Sequence, residues 1–237
     1  MLHRAVKVEI WSDVVCPWCF VGKRRLETAL GEFAHRDEVQ IVWRSFELDP
    51  HAPRQREGDQ AERLARKYGI TRDQALAANA RLTQVGAGEG LSFRFEQAKS
   101  GNTFDAHRLL HLAGDRGVQD AVKERLLLGY FSQGEPIGDP ATLVRLVVEA
   151  GLDRAEAQAV LDGQDYGEAV RADEQEAADL GISGVPFFLI DRKFAVPGAQ
   201  SADVFVGALD RAWAKAHPID VAEPAADGIC EGDSCAI

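Results

Sequence analysis

The chain has 237 residues, and 46% of them are hydrophobic, which suits a folded core of ordinary size. Its formal net charge of −11 argues against partners such as nucleic acid or an anionic membrane, which require clustered Lys and Arg. No stretch approaches the ~18 apolar residues of a membrane span, and the N-terminus shows no signal-peptide pattern, so we expect a cytoplasmic protein.

The first predicted elements are a strand and a helix with two cysteines between them. Apolar and polar residues alternate over residues 6–10, and leucines recur at helical spacing over residues 26–30. The C-x-x-C of Cys16 and Cys19 lies between these patterns. Cys16 is therefore expected near a helix N-terminus, where unpaired N–H groups and the helix dipole stabilise a thiolate.

This placement predicts redox chemistry at the cysteine pair. The thiolate is the reactive form of cysteine, so Cys16 is the predicted nucleophile. Cys19, one helical turn later, can attack a mixed disulfide formed on Cys16. The alternative is half of a structural zinc site, which needs about four ligands, and only Cys230 and Cys235 could complete it. Because residues 17–18 are Pro-Trp and not the Gly-rich turn of a zinc knuckle, we predict no metal site.

A second strand and then a mostly helical region are predicted next. Residues 39–46 alternate again, and residues 49–59 contain prolines, a glycine and many charges, which indicate a loop. From about 60 to 165 the patterns are helical, apart from a short extended segment at residues 91–95. Polar N-cap residues predict helix starts at Thr71, at Asn102 or Thr103, and at Asp139, which Pro140 follows.

The last part of the chain is predicted to return to a mixture of strands and helices. The predicted elements are a helix over about 166–180, a hairpin of residues 187–190 and 193–196, and a helix that starts at Ser201 or Asp203. The charge-rich segments 153–156 and 173–176 are predicted to be solvated. Residues 218–237 lack periodicity and are predicted to form a flexible tail.

Four stretches of the chain resemble the DsbA family of thioredoxin-like proteins, and more narrowly its FrnE-like cytoplasmic members. They are SDVVCPWC at 12–19, NTFDAHR at 102–108, GISGVPFFLI at 181–190 and PGAQ at 197–200. Their order and spacing match over nearly the whole chain. Cys230 and Cys235 resemble a second cysteine pair of some FrnE-like members. The resemblance implies an α/β, thioredoxin-like fold of the DsbA type, interrupted by an all-helical insertion.

The length supports such an insertion, since a bare thioredoxin fold needs roughly 100 residues. The expected parts are residues 1–55 as the first part of the thioredoxin-like domain, 56–165 as the helical insertion, 166–217 as its second part, and 218–237 as a C-terminal tail with the second cysteine pair. The insertion is expected to cap the surface around Cys16, where it either shapes a substrate groove or simply adds to the core.

The resemblance also implies how the site works. Cys16 and Cys19 exchange disulfides, and Pro186, expected after a cis peptide bond, faces them. Val185 and Pro186 are expected to dock the substrate through backbone and Pro17 to contact it, while Trp18 either contacts it or packs on the insertion. The resemblance also places His107 on a helix that is expected to face the site, although His107 itself is not expected to act as a base. Cys230 and Cys235 are expected to be either a secondary redox pair that relays disulfides or two free thiols in the tail.

The leading expectation is an enzyme that exchanges disulfides with protein or peptide thiols. It needs no bound cofactor, and glutathione, another thiol or a reductase serves as its co-substrate. No nucleic acid or membrane partner is expected, and no oligomeric state is predicted. One alternative is a glutathione-dependent isomerase or transferase of the 2-hydroxychromene-2-carboxylate isomerase or kappa type, which typically carries serine where this chain has Cys16. The other alternative is a redox-linked chaperone.

Overall fold

The computed structural model describes residues 5–56 and 58–218, so the predictions for Cys230 and Cys235 lie outside the described residues. The strands are β1 Val6–Ser12, β2 Val39–Ser45, β3 Phe187–Ile190 and β4 Phe194–Pro197. They form one mixed sheet in the order β2-β1-β3-β4. Strand β1 pairs in parallel with β2 and antiparallel with β3, and β3 pairs antiparallel with β4.

Helices account for most of the described chain. They are α1 Pro17–Glu32, α2 Gln60–Tyr68, α3 Arg72–Gly88, α4 Phe104–Asp115, α5 Gln119–Gln133, α6 Pro140–Glu149, α7 Arg154–Asp162, α8 Gly167–Asp179 and α9 Ala202–Ala216. Helices α2 to α7 come between β2 and α8, which confirms a sheet domain interrupted by helices. The domain boundaries themselves stay predictions. None of the described helices is long and apolar enough to cross a membrane.

Local capping explains where several helices begin. Thr71 and Gln74 form a reciprocal capping box at α3, and the Asp139 carboxylate accepts from the Thr142 N–H at 2.8 Å at α6. Thr103 is the N-cap residue of α4 and Ser201 that of α9. The predicted helix starts at these positions are confirmed.

The interruption predicted at residues 91–95 separates α3 from the helices that follow it. Residues 91–94 lie in neither a helix nor a strand, and the prediction is wrong only at Phe95, which begins a 3₁₀ helix, Phe95–Gln97. Phe93 and Phe95 both pack against Phe131, with ring centroids at 5.2 and 6.0 Å.

The prediction of a solvated Asp173 is wrong. Its side chain is buried and accepts from the Ser45 N–H at 2.8 Å and from Arg44 Nη1 at 3.0 Å. His111 Nε2 lies 3.1 Å from Oδ2, the same oxygen that accepts from the Ser45 N–H. All three partners come from elements remote in sequence, so the local charge pattern of α8 could not reveal them.

Helix α1 lies between two apolar cores. Phe20 and Val21 belong to the core formed with α4 to α7 and the 91–98 segment. Leu26 and Ala29 belong to the core between the sheet and α9. All four side chains are at most 1% exposed. The start of α1 is therefore fixed relative to both the sheet and the insertion.

Gly22 lets α1 approach the loop that precedes β3. A Cβ atom on Gly22 would lie 3.1 Å from Phe188 Cζ and 3.1 Å from Pro186 Cγ. We expect Gly22→Val to lower the free energy of unfolding by about 1–3 kcal/mol through overpacking, as measured by urea unfolding. Gly31→Val is the matched control, since a Cβ on Gly31 meets nothing within 4 Å in the same helix. Equal losses in the two variants would contradict this account of Gly22.

Candidate active site

Cys16 is the N-cap residue of α1. Its backbone is extended, with φ −95° and ψ 112°, and Pro17 follows at the first helical position, where no N–H donor is needed. The Cys19 N–H donates to the Cys16 carbonyl at 3.0 Å, which closes the first turn. Cys16 keeps 5% of its surface exposed, whereas Cys19 is completely buried. An incoming sulfur can therefore reach Cys16 and not Cys19.

The loop before β3 faces Cys16. The Val185–Pro186 peptide bond is cis, which confirms the expectation from the sequence. Cys16 Sγ lies 3.5 Å from the Val185 carbonyl oxygen, to which its thiol donates. The Gly198 N–H donates to the Pro186 carbonyl at 2.8 Å and ties the loop to the end of β4. Residues 169 positions apart in the chain thus meet at the reactive sulfur.

A cavity of about 470 Å³ opens beside Cys16. Pro17 and Trp18 line one side with Val185, and Trp18 is 45% exposed. The insertion supplies the opposite wall, with apolar side chains such as Leu64 and Leu82. Three of the positions predicted to contact a substrate therefore line this cavity beside Cys16.

The two thiols ionise as a coupled pair. The hydrogen bond with Cys19, together with burial, raises the pKa of the Cys16 thiol well above its usual value. Burial opposes ionisation of Cys19 as well, but the hydrogen bond with Cys16 and the nearby Lys123 ammonium lower its pKa. Because the two groups are coupled, these directions place the first negative charge on Cys19 and keep the proton on Cys16. This differs from the sequence expectation of a Cys16 thiolate stabilised by the helix N-terminus.

Asp13 and His107 form a buried pair next to the thiols. Asp13 Oδ1 lies 3.3 Å from His107 Nε2, and Oδ2 accepts from the Leu48 N–H at 2.8 Å. Burial opposes the charge on Asp13, but these hydrogen bonds outweigh it and lower the pKa of the carboxyl. The Asp13 charge in turn contributes to the raised pKa of Cys16. His107 therefore lies in the active-site region as expected, but it contacts Asp13 and not the sulfurs.

Lys123 is a residue of the site that sequence reasoning missed. It is completely buried on α5, and its ammonium is among the groups that lower the pKa of Cys19. Lys123 shares helical spacing with the buried residues Leu127 and Tyr130, at i+4 and i+7. A lysine on an apolar face is an unusual pattern, and this signal could have identified it.

No group of three or more His, Cys, Asp or Glu side chains suited to a metal ion occurs among residues 5–56 and 58–218. Of the four cysteines, Cys16 and Cys19 lie within these residues, and both are free thiols. A zinc site completed by Cys230 and Cys235 lies outside the described residues.

Asp13→Asn should destabilise the protein in a pH-dependent way. The folded pKa of Asp13 lies below its ordinary value of about 3.9, so the ionised carboxylate stabilises the fold above that pH. That stability is lost as the pH falls through the lower folded pKa. We expect a loss of about 1–3 kcal/mol at neutral pH that shrinks below about pH 4, measured by urea unfolding. Asp37→Asn, with a side chain 93% exposed, is the control; a loss for Asp13→Asn that stays constant with pH would contradict the assignment.

Comparisons with known proteins agree with this geometry. A probable DsbA oxidoreductase from Streptomyces coelicolor has a crystal structure that matches with 47% identity and a TM-score of 0.85, covering 91% of this chain and 93% of the other. The uncharacterised protein YwbO of Bacillus subtilis is 28% identical over 207 residues, covering 86% of this chain and 96% of YwbO. The cytosolic disulfide reductase DsbM of Pseudomonas aeruginosa, also solved with GSH, shares the fold at 18% identity and a TM-score of 0.57, covering 88% of this chain and 96% of DsbM.

The family comparison covers nearly the whole described chain. The DSBA-like thioredoxin domain matches residues 7–210, which include both cysteines of the C-x-x-C, the cis-proline loop and the helical insertion. The fold is therefore the thioredoxin-like fold of the DsbA type with a helical insertion, and the chain belongs to the DsbA-like thioredoxin family of oxidoreductases.

Proposed function

We propose that this protein is a thiol–disulfide oxidoreductase that acts on protein or peptide thiols through Cys16 and Cys19. The observation that carries the proposal is the position of the Cys16 sulfur. It lies at a helix N-terminus, 3.5 Å from the Val185 carbonyl and at the edge of a cavity, with a second thiol buried one turn behind it. This arrangement leaves the Cys16 sulfur accessible to a substrate and keeps the Cys19 sulfur available to resolve the mixed disulfide.

The proposed exchange proceeds in two displacements. In the reducing direction Cys16 passes its proton to the Cys19 thiolate, the resulting Cys16 thiolate attacks a substrate disulfide, an S–S bond forms to Cys16, and one substrate sulfur leaves as a thiolate. Cys19 then loses its proton and attacks Cys16, which releases the second substrate thiolate and leaves the Cys16–Cys19 disulfide. Two electrons pass from the enzyme to the substrate. In the oxidising direction the same steps run in reverse.

Substrate docking is proposed to use the backbone of Val185 and the exposed side chain of Trp18. Pro17 and Trp18 lie on the side of the cavity next to Cys16. An extended peptide in this cavity would bring its sulfur to Cys16 while its main chain follows the cis-proline loop. The apolar wall from the insertion supports binding with little sequence preference.

We further propose a FrnE-like, cytoplasmic enzyme that uses glutathione or another thiol as co-substrate. The description of DsbM as a cytosolic disulfide reductase, solved with GSH, supports this choice for a chain of the same fold. The cavity also presents Arg63 and Lys67, whose positive charges suit the carboxylates of glutathione. Disulfides in a reducing compartment are usually transient and catalytic.

Titration against glutathione redox buffers tests the proposed function. Alkylation followed by mass spectrometry should show one reversible two-electron transition between the free thiols and a Cys16–Cys19 disulfide. Cys16→Ser should abolish both this transition and the exchange with a disulfide-bonded peptide. Absence of the disulfide at every redox poise, together with stable glutathione binding, would instead support the isomerase or transferase alternative.

A relay through Cys230 and Cys235 is the second part of the proposed function. Replacing both by serine should slow turnover with a protein substrate, since disulfides would no longer pass through the second pair. Alkylation of Cys16 should keep its rate, because the first pair is unaltered. Turnover is measured by insulin reduction. An unchanged rate in the double variant would contradict the proposed relay.

A further inference from the structure

Lys123 on α5 is a buried cation that the exchange mechanism does not yet use. Its side chain is completely buried. Its Nζ lies 3.5 Å from the Ser12 carbonyl and 5.2 Å from the centre of the Trp43 ring. Among the residues that the structure describes, no carboxylate comes within 4 Å of this ammonium to form an ion pair. A buried ammonium without a counter-charge is costly.

The nearby Lys23 shows how the same fold compensates a buried lysine. Lys23 is 3% exposed, and its Nζ forms ion pairs with Asp120 and Glu124 at 3.1 Å each and with Glu27. Three carboxylates therefore surround one buried ammonium and none surrounds Lys123. Groups other than carboxylates within ion-pair distance must therefore offset the cost of burying the Lys123 charge.

Those other groups are the two thiols and Asp13. Burial lowers the pKa of Lys123 to about 8, and the charges that raise it are, in order, those of Cys19, Asp13 and Cys16, while Lys23 lowers it. Asp13 already accepts hydrogen bonds from the Leu48 N–H and from His107. The Asp13 carboxylate is present in both redox states, so the counter-charge that changes is a thiolate, which exists only when the cysteine pair is reduced.

We propose that Lys123 is a positioning residue that couples a proton to the redox state of the cysteine pair. The proposal rests on the exchange function proposed above. In the reduced enzyme an ammonium at Lys123 faces one thiolate and one thiol. Oxidation forms the Cys16–Cys19 bond, transfers two electrons to the substrate disulfide, and releases the thiol proton and the Lys123 proton to solvent. The two substrate sulfurs leave as thiolates and take up two protons from solvent.

Lys123→Met tests the proposal, because methionine keeps the length and apolar contacts of the side chain and removes the charge. Without the cation the thiolate is less stable, so the pH midpoint of Cys16 alkylation should rise by about one unit. The equilibrium constant for reduction of the pair by glutathione should fall by about tenfold. Lys23→Met is the matched control, because Lys23 is a buried lysine of α1 with its own carboxylates. It should shift the alkylation midpoint by less than about 0.3 pH units and change the equilibrium constant by less than about twofold.

Wild-type protein provides a second readout that does not depend on the variant folding. With lysine labelled by ¹³C at Cε, the Lys123 resonance should titrate at a lower pH in the oxidised protein than in the reduced protein. The same midpoint in both states, or an unchanged alkylation midpoint in Lys123→Met, would overturn the inference. If the Cys16–Cys19 disulfide still forms reversibly in that case, the exchange function stands; if it never forms, the function itself fails.

Discussion

The burial of α1 on two opposite sides is the constraint on which the site depends. Phe20 anchors the helix in the insertion and Leu26 anchors it against the sheet, so the helix cannot shift without opening one of the two cores. Cys16 at the N-cap is carried by this rigid element. Gly22 then permits the close approach of the cis-proline loop, which brings Val185 to the sulfur. Packing along α1 thus determines which sulfur is accessible.

Two buried groups of opposite charge then adjust the reactivity of the thiols. The Asp13 carboxylate contributes to the raised pKa of Cys16, and the Lys123 ammonium lowers the pKa of Cys19. Asp13 comes from the turn after β1, whereas Lys123 comes from the insertion. The insertion therefore does more than form one wall of the cavity, since it also delivers a charge beneath the cysteine pair. Reactivity in this fold depends on the contact between its two parts.

Local signals in the sequence were sufficient for the elements and the reactive pair. Alternation predicted β1 and β2, polar N-cap residues predicted α3 and α6, and the C-x-x-C marked the start of α1. Burial of a charged side chain by a distant element was not predictable in this way. Asp173 accepts from the Ser45 N–H, 128 positions away, and Lys123 donates to the Ser12 carbonyl, 111 positions away. Such contacts depend on tertiary packing, which local patterns describe poorly.

The most direct test of the central claim is to trap the mixed disulfide. Cys19→Ser and Cys16→Ser proteins would be incubated with a disulfide-bonded peptide, and the rate and position of the mixed disulfide would be read by peptide mapping. We predict rapid formation on Cys16 in the Cys19→Ser protein. The Cys16→Ser protein should react far more slowly, because Cys19 is completely buried. Equal rates in the two proteins would contradict the assignment of Cys16 as the attacking sulfur.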